Sequence, residues 1–512
     1  MMNRYQSWGI AIFLSIMSSA SAAWAEVIRV TFLQLNDVYE ITPVEGGQWG
    51  GLARVATLRQ MLIEENPNTY TVLSGDFLSP SALGTARVNG ERLAGAQMVA
   101  TLNTLGLDYV TFGNHEFDIK AEQLLARLAE SSFQWISSNV MQANGEPFPN
   151  VLPSTILTVS GEEGGQVKIG LVGTTLSSNQ QDYVQYQEPI AALQQQVDEI
   201  KDDVDIIVAL THLSLEQDKQ AAADIPEIDL ILGGHEHENI QQWRFDQVSD
   251  QAAGCIEHPT PILKADANAR TVYVVDLLYD TETRCFEIVS NLQPITAALA
   301  DDPATAKTVD TWQAIGFEGF RSSGFEPNEL VAVFPDMLDG LEASVRNHPT
   351  SLTDLIATAM LNTSERETGT AADLSIFNSG SIRIDDVIPP GRITQYDVIR
   401  ILPFGGNVLT VEMQGDLLAR VLDQGKKNQG TGGYLQTANV AWDETAQQWL
   451  VKEQAIDLNR TYRVAINDFL IKGLETGLDY LTLEADGLSL LAEGEDIRFA
   501  VIQELRASTR SD

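Results

Sequence analysis

Short apolar runs that close on a glycine, aspartate, asparagine or histidine recur through the first half of this chain. Residues 27–35 run into Asn36-Asp37, 70–73 into Ser74-Gly75-Asp76, 109–112 into Gly113-Asn114-His115, 206–210 into Thr211-His212, and 230–232 into Gly233-Gly234-His235. Residues 167–172 and 271–277 are two more such runs. Runs of this length, rich in β-branched residues, predict buried strands. Apolar residues at helical spacing lie between them at 52–64, 121–130 and 191–201. Strand and helix in alternation predict an α/β layered domain. Ligands of such sheets gather beyond the carboxyl ends of the strands. Polar residues that each follow a strand therefore point to one convergent site.

A different pattern follows a connector. Asp301-Asp302-Pro303 opens a predicted helix, with the proline in its first turn, that runs to about Arg321 and ends at Ser322-Ser323-Gly324. Beyond it, 351–361, 396–401 and 415–424 read as helices, and 374–377, 408–413 and 463–467 as strands. This predicts a second, α+β domain. The division is 26–300 for the first domain, 301–325 for the linker and 326–512 for the second domain. No internal repeat or low-complexity tract is visible.

Residues 1–25 carry a secretory pattern: Arg4, a short apolar stretch at 8–17, and Ala23-Trp24-Ala25 before Glu26. The stretch is too short to span a bilayer comfortably; an uncleaved anchor is the alternative. The expectation is a periplasmic or secreted protein with no membrane contact after cleavage. Export permits disulfides, and Cys255 and Cys285 flank the strand-like run at 271–277. A β-ribbon could bring them together; two separate buried thiols are the other reading.

The 512 residues, 44% hydrophobic and 20% charged, suit a globular chain with ample core. Thirty-two basic against 71 acidic residues give a net charge of −39. Such a field discourages contact with nucleic acid or anionic lipid. It also repels anionic substrates, so a phosphate site would need positive charge from metals.

The candidate chemistry is a two-metal centre. Four of the six histidines, His115, His212, His235 and His237, fall in the strand-end motifs. Two ions about 3.5–4 Å apart can clamp a phosphate and activate water for in-line attack. Asp76, central in the set, is the candidate bridge. Asp37 and His237 would serve one ion; Asn114, His212 and His235 would serve the other. Mixed nitrogen and oxygen ligation suits divalent Mn, Zn, Co or Fe. His115 directly follows a ligand, so its ring can face the substrate as a general acid, with Asp118 three residues on to fix its tautomer. A further metal ligand or a structural histidine is the other reading of His115.

Asn36-Asp37, Gly50-Gly51-Leu52-Ala53-Arg54, Ser74-Gly75-Asp76, Gly113-Asn114-His115-Glu116-Phe117-Asp118, Thr211-His212 and Gly233-Gly234-His235-Glu236-His237 resemble the calcineurin-like metallophosphoesterases. More narrowly, they resemble the bacterial periplasmic 5′-nucleotidase/UDP-sugar hydrolase family, and the second half of the chain matches as well. The resemblance implies a four-layer α/β/β/α metallophosphoesterase domain followed by an α+β 5′-nucleotidase C-terminal domain. It also implies a His–Asp dyad matching His115 and Asp118, and attack by a metal-bound hydroxide on a nucleotide phosphate. The cysteine pair has a counterpart in some members. One position departs: the family has Asp-x-His at the first motif, whereas this chain has Asp37-Val38-Tyr39. Three outcomes stay open: Tyr39 ligates, water fills the gap, or the first site binds weakly. An active enzyme with a modified first site is the reading taken.

In the second half, Phe377-Asn378-Ser379-Gly380-Ser381-Ile382-Arg383 resembles the family's substrate motif, which nominates Asn378, Gly380 and Arg383. Asn407, after Leu402-Pro403-Phe404-Gly405-Gly406, is placed to hydrogen-bond a base edge. The family stacks the base between two aromatics, and the matching positions are Phe469 and Tyr434; both also read as core residues. Glu475, with Asp479 as alternative, takes the ribose-binding position. The expected activity is a nucleotide phosphohydrolase of the 5′-nucleotidase type. Alternatives are a 2′,3′-cyclic-nucleotide phosphodiesterase with 3′-nucleotidase activity, a UDP-sugar hydrolase, and a thiosulfonate-ester hydrolase of sulfur oxidation. The alternative of another class is a non-catalytic nucleoside-binding surface protein.

Overall fold

Two sheets pack face to face because their strands carry apolar side chains on both faces. In Ile206–His212, Ile206, Val208 and Leu210 enter the core between the sheets, while Ile207 and Ala209 enter the core under the outer helices. The period of two along a strand makes that division. Val27–Leu35 divides in the same way, with Ile28, Val30 and Phe32 between the sheets and Leu33 and Leu35 facing helices.

The structure, a computed structural model, describes residues 26–240 and 260–508. The secretory pattern and Cys255, and with it the pairing of Cys255 and Cys285, lie outside the described residues.

The larger sheet has seven strands in the order Phe286–Pro294, Thr271–Asp280, Val27–Leu35, Thr69–Ser74, Tyr109–Thr111, Gln134–Ile136, Val151–Leu152. The central strands run parallel, and Val27–Leu35 pairs antiparallel with Thr271–Asp280. The second sheet has five strands in the order Ile262–Leu263, Leu230–Gly233, Ile206–His212, Gln166–Thr175, Ser154–Ser160. Helices Leu52–Glu65, Ala96–Leu105 and Ala121–Glu130 cover the first sheet. Pro189–Ile200 and Leu215–Asp224 cover the second. Four layers result, as the sequence motifs imply.

The connector is the helix Pro303–Ser322, capped by Asp302. It packs on Leu52–Glu65 and Ala96–Leu105, joining the helical layer of the first domain. Its Phe317 ring lies 4.8 Å from that of Tyr396 in the second domain. That domain holds a five-stranded sheet in the order Leu435–Ala438, Leu374–Asn378, Thr461–Asn467, Asn407–Gln414, Leu488–Asp496. Gly415–Lys427 packs on one face, and Ser351–Thr368 with Ile497–Ser508 packs on the other.

Candidate metal centre and substrate cleft

The carboxyl ends of five strands, drawn from both sheets, deliver the motif residues to one place. Asp37, Asp76 and His212 are buried, and each offers a ligand atom within 4.8 Å of the others. Backbone geometry pays a local cost for this. Asp37, Asp76, His235 and His237 all take positive φ, at 52°, 57°, 90° and 58°. L-residues avoid that region, and such strain gathers where the surrounding structure dictates a functional geometry. Gly75 is required for a different reason: a Cβ there would lie 2.7 Å from His212 Nδ1.

Glu116 is the anchor that the motif contained but that sequence reasoning gave no role. Its carboxylate accepts the backbone N–H groups of Asp76, Phe77, Leu78 and Gly113. It therefore ties the Asp76 loop to the Asn114 loop.

Two donor sets share Asp76. His212 Nδ1 donates to the Ser74 carbonyl at 2.7 Å, which leaves the Nε2 lone pair facing the site. That Nε2 lies 3.2 Å from Asp76 Oδ2. Both His212 Nε2 and Asn114 Oδ1 are buried without a hydrogen-bond partner. Buried polar atoms rarely stay unsatisfied, and an imidazole nitrogen, an amide oxygen and a carboxylate are a fitting donor set for a borderline divalent cation. The His235 ring is 5.4 Å from the His212 ring, centroid to centroid. Burial, the largest cause, pushes the His235 imidazole below its ordinary value, the direction that suits a neutral ligating ring.

The other set surrounds Tyr39. Its hydroxyl lies 3.3 Å from Asp37 Oδ1, 3.2 Å from Asp76 Oδ2 and 2.9 Å from His237 Nε2. His237 Nε2 is 3.4 Å from Asp37 Oδ1. Four donors held about 2.0–2.1 Å from one ion in a tetrahedron sit about 3.4 Å from each other. Four of the six separations in this set, from Tyr39 to the other three and from His237 to Asp37, are 2.9–3.4 Å, near that spacing, and its Asp37 and Asp76 also cluster with His212 as possible ligands of a cation. Burial and the Asp76 and Asp37 carboxylates push the phenol well above its ordinary value.

His115 is tied to both Asp76 and Asp118. Its backbone N–H donates to Asp76 Oδ1 at 2.7 Å, and its Nδ1 pairs with Asp118 Oδ2 at 2.8 Å. Asp118 is itself held by Asn179, which bonds Oδ1 at 2.7 Å and also the Asn114 carbonyl. Asn179 had no signal in the sequence, being one amide in a long loop. Burial opposes the charge of His115, but Asp118 and Asp76 outweigh it and raise its proton affinity. Arg383, from the second domain, is close enough to act on that charge.

The second domain gathers most of its nominated residues. Asn378 Oδ1 accepts from Asn467 and Ser381. Glu475 lies against Asn378 and approaches Gly433, where a Cβ would sit 2.7 Å from its carboxylate. Gly380 N–H donates to the Gly432 carbonyl. Arg383 stands 5.7 Å from the Phe404 ring. Phe469 is half-buried in the turn after Asn467. Tyr434 joins the cluster through its carbonyl, which accepts from Ser379. Tyr434 also lines a hollow of about 300 Å³ with Lys426, Thr437, Trp442 and Trp449. Asn407 stands apart, its amide donating to Glu493 at 2.7 Å. Between the domains lies a cleft of about 370 Å³ lined by His237, Arg270, Glu342, Arg346 and Asp385. Arg346 and Asp385 escaped sequence reasoning because neither lies in a run with a readable period.

The four-layer fold, with Asp37, Asp76 and His212 clustered as possible metal ligands beside a histidine–aspartate pair, is that of a metallophosphoesterase. Residues 30–239 match the calcineurin-like phosphoesterase family, and residues 331–481 match the 5′-nucleotidase, C-terminal domain family. The chain belongs to the two-domain metallophosphoesterases that carry a 5′-nucleotidase C-terminal domain. It is similar to a 5′-nucleotidase of Homo sapiens, 26% identical over 461 residues that span 83% of this chain and 76% of the relative. The solved structure of a 5′-nucleotidase precursor from Thermus thermophilus superposes with a TM-score of 0.74 at 24% identity, covering 94% of this chain and 97% of that one. A sulfate thiohydrolase from the same species superposes at 0.68 with 17% identity, covering 94% of each chain. These two structural likenesses bear on the fold alone. Among the described residues no helix is long and apolar enough to cross a membrane.

Proposed function

We propose that this protein is a metal-dependent nucleotide phosphohydrolase of the 5′-nucleotidase type, exported to the periplasm or secreted. The observation that carries the reading is Asp76, whose Oδ2 lies 3.2 Å from the Tyr39 hydroxyl and 3.2 Å from His212 Nε2, one oxygen shared by the two donor sets. Asp37, Tyr39, Asp76 and His237 would hold the first cation; Asp76, Asn114, His212 and His235 would hold the second. When bound, two divalent cations (Mn, Zn, Co or Fe) lower the pKa of water and offset the charge of a phosphate.

The side chains supply the rest. Asp118 accepts from Nδ1 of His115, so Nε2 is the atom that carries the proton outward. That proton goes to the departing nucleoside oxygen. Arg383 offers planar donors to an anionic or ribose oxygen. Phe469 presents a ring for base stacking, and Asn378 with Glu475 faces the sugar. Positive charge from cations and Arg383 is needed locally, because the chain as a whole repels an anion at −39.

Phosphate release from AMP, 3′-AMP, cyclic AMP and UDP-glucose, with Mn²⁺, Co²⁺, Zn²⁺ and Mg²⁺ returned in turn to stripped protein, tests this reading. AMP should be the best substrate; no turnover with any pair would refute it. His115→Ala should lower kcat by about 10²–10⁴ while metal content stays unchanged. A full rate in that variant would remove His115 from the chemistry.

Tyr39→Phe removes one donor and keeps the ring. It should weaken the first cation by at least about tenfold and leave the second unchanged, measured by calorimetric titration of stripped protein. Tighter binding in the variant would mean that the hydroxyl blocks the cation instead of holding it.

A further inference from the structure

The two histidines best placed as ligands are braced differently. His212 braces its Nδ1 on the Ser74 carbonyl, inside its own domain. His237 braces its Nδ1 on Asp385 Oδ2 at 2.8 Å, and Asp385 belongs to the second domain, 148 residues away. A ligating imidazole needs such a partner on its other nitrogen, because that bond sets the tautomer and aims the ring. For His237 the partner arrives only when the domains are docked.

Asp385 is not a loose surface carboxylate. Its Oδ1 accepts the Glu342 backbone N–H at 2.9 Å, and its carbonyl accepts from Arg270 of the first domain at 2.7 Å. Its backbone takes φ of 40°, unusual for an aspartate. Its neighbour Asp386 receives the Glu45 backbone N–H at 3.2 Å and lies 3.4 Å from Arg270. The whole corner is thus built across the domain boundary, with Asp385 as the member that reaches a cation donor.

We propose that Asp385 is a positioning residue that makes the second domain part of the first cation site, so that cation binding there and docking of the domains stabilise each other. The proposal rests on the two-cation reading above. Its energetic content is linkage. If docking aims the His237 lone pair at the ion, the ion must favour docking by the same factor. The second site, braced within the first domain by Ser74, has no such dependence. Loading the second site alone should leave the domains unaffected.

The experiment uses the full chain, stripped of metal, titrated with Zn²⁺ by calorimetry and followed in parallel by small-angle X-ray scattering. The unaltered protein should bind two ions, with compaction tracking the first-site ion. Asp385→Ala should bind one ion about 10–100-fold more weakly, keep the other unchanged, and lose the compaction. Asp385→Asn, whose amide oxygen can still accept from Nδ1–H, should recover part of both. Two ions bound with unchanged affinity in Asp385→Ala would overturn the proposal and leave the two-cation reading standing. Weakening of both sites alike, with no rescue by asparagine, would also overturn it, since that is the mark of general structural damage. Failure of the unaltered protein to bind two ions would overturn the two-cation reading itself, and the proposal with it.

Discussion

Asp76→Ala is expected to release both cations and to cut phosphate release from AMP by on the order of 10⁴-fold or more. One carboxylate here does three jobs. Oδ2 faces both Tyr39 and His212 at 3.2 Å, and Oδ1 accepts the His115 N–H at 2.7 Å. Alanine leaves the buried His212 and Asn114 donors without the anion that would offset two positive ions, and it also loosens the loop that aims His115. The loss should therefore exceed that of His115→Ala, where the cations remain. Metal analysis of the purified variant should find less than one ion per chain. A variant retaining two ions and a tenth of the activity would show that another group bridges them.

Lys264→Met is the change expected to cost the most stability. Lys264 is fully buried and pairs with Asp218 at 2.7 Å and with Glu236, and it donates to the Leu213 carbonyl at 2.7 Å. Taking away one member of a buried charge cluster leaves the others uncompensated, at a cost of about 3–5 kcal/mol. Replacing the cluster with apolar residues of similar volume is often nearly neutral. Lys264→Met alone should thus lower the thermal midpoint markedly, and Lys264→Met with Asp218→Leu should regain part of it. The effect should reach the metal centre as well. Glu236 stands between His235 and His237 and accepts the Leu215 N–H at 2.5 Å, so freeing it unpins the loop that carries both. An unchanged midpoint in the single variant would mean that the cluster contributes nothing net.

The strands and helices with clean periods were legible without coordinates. The predicted strand at 206–210 is Ile206–His212, and the predicted helix at 121–130 is Ala121–Glu130. Others were longer than their patterns: the helix read at 351–361 continues to Thr368, because a helix end is set by its Gly369 cap and not by the last apolar residue. Phe286–Pro294 left almost no pattern. It is an edge strand with mostly exposed or half-exposed side chains, held by backbone bonds to Thr271–Asp280. Ala96–Leu105, bounded by Gly95 and Gly106 at positive φ, was not among the predicted helices either. In the candidate site, the strand-end residues were readable because strand ends converge by topology. Asn407 was expected to meet a base edge, yet its amide bonds Glu493 on the adjacent strand; local motif context does not say which neighbour a side chain meets.

By itself the sequence determined which potential donors this protein brings to its candidate metal centre and in what order along the chain. Each sits at the end of an apolar run, and a period-two strand leaves its last polar residue at the rim. Tertiary structure alone decided how those donors are aimed. The Tyr39 oxygen stands among Asp37, Asp76 and His237, Glu116 gathers four backbone N–H groups, and Asp385 braces His237 from another domain. Aim depends on contacts between residues far apart in the chain, and such contacts leave no period, cap or turn signal for a sequence to display.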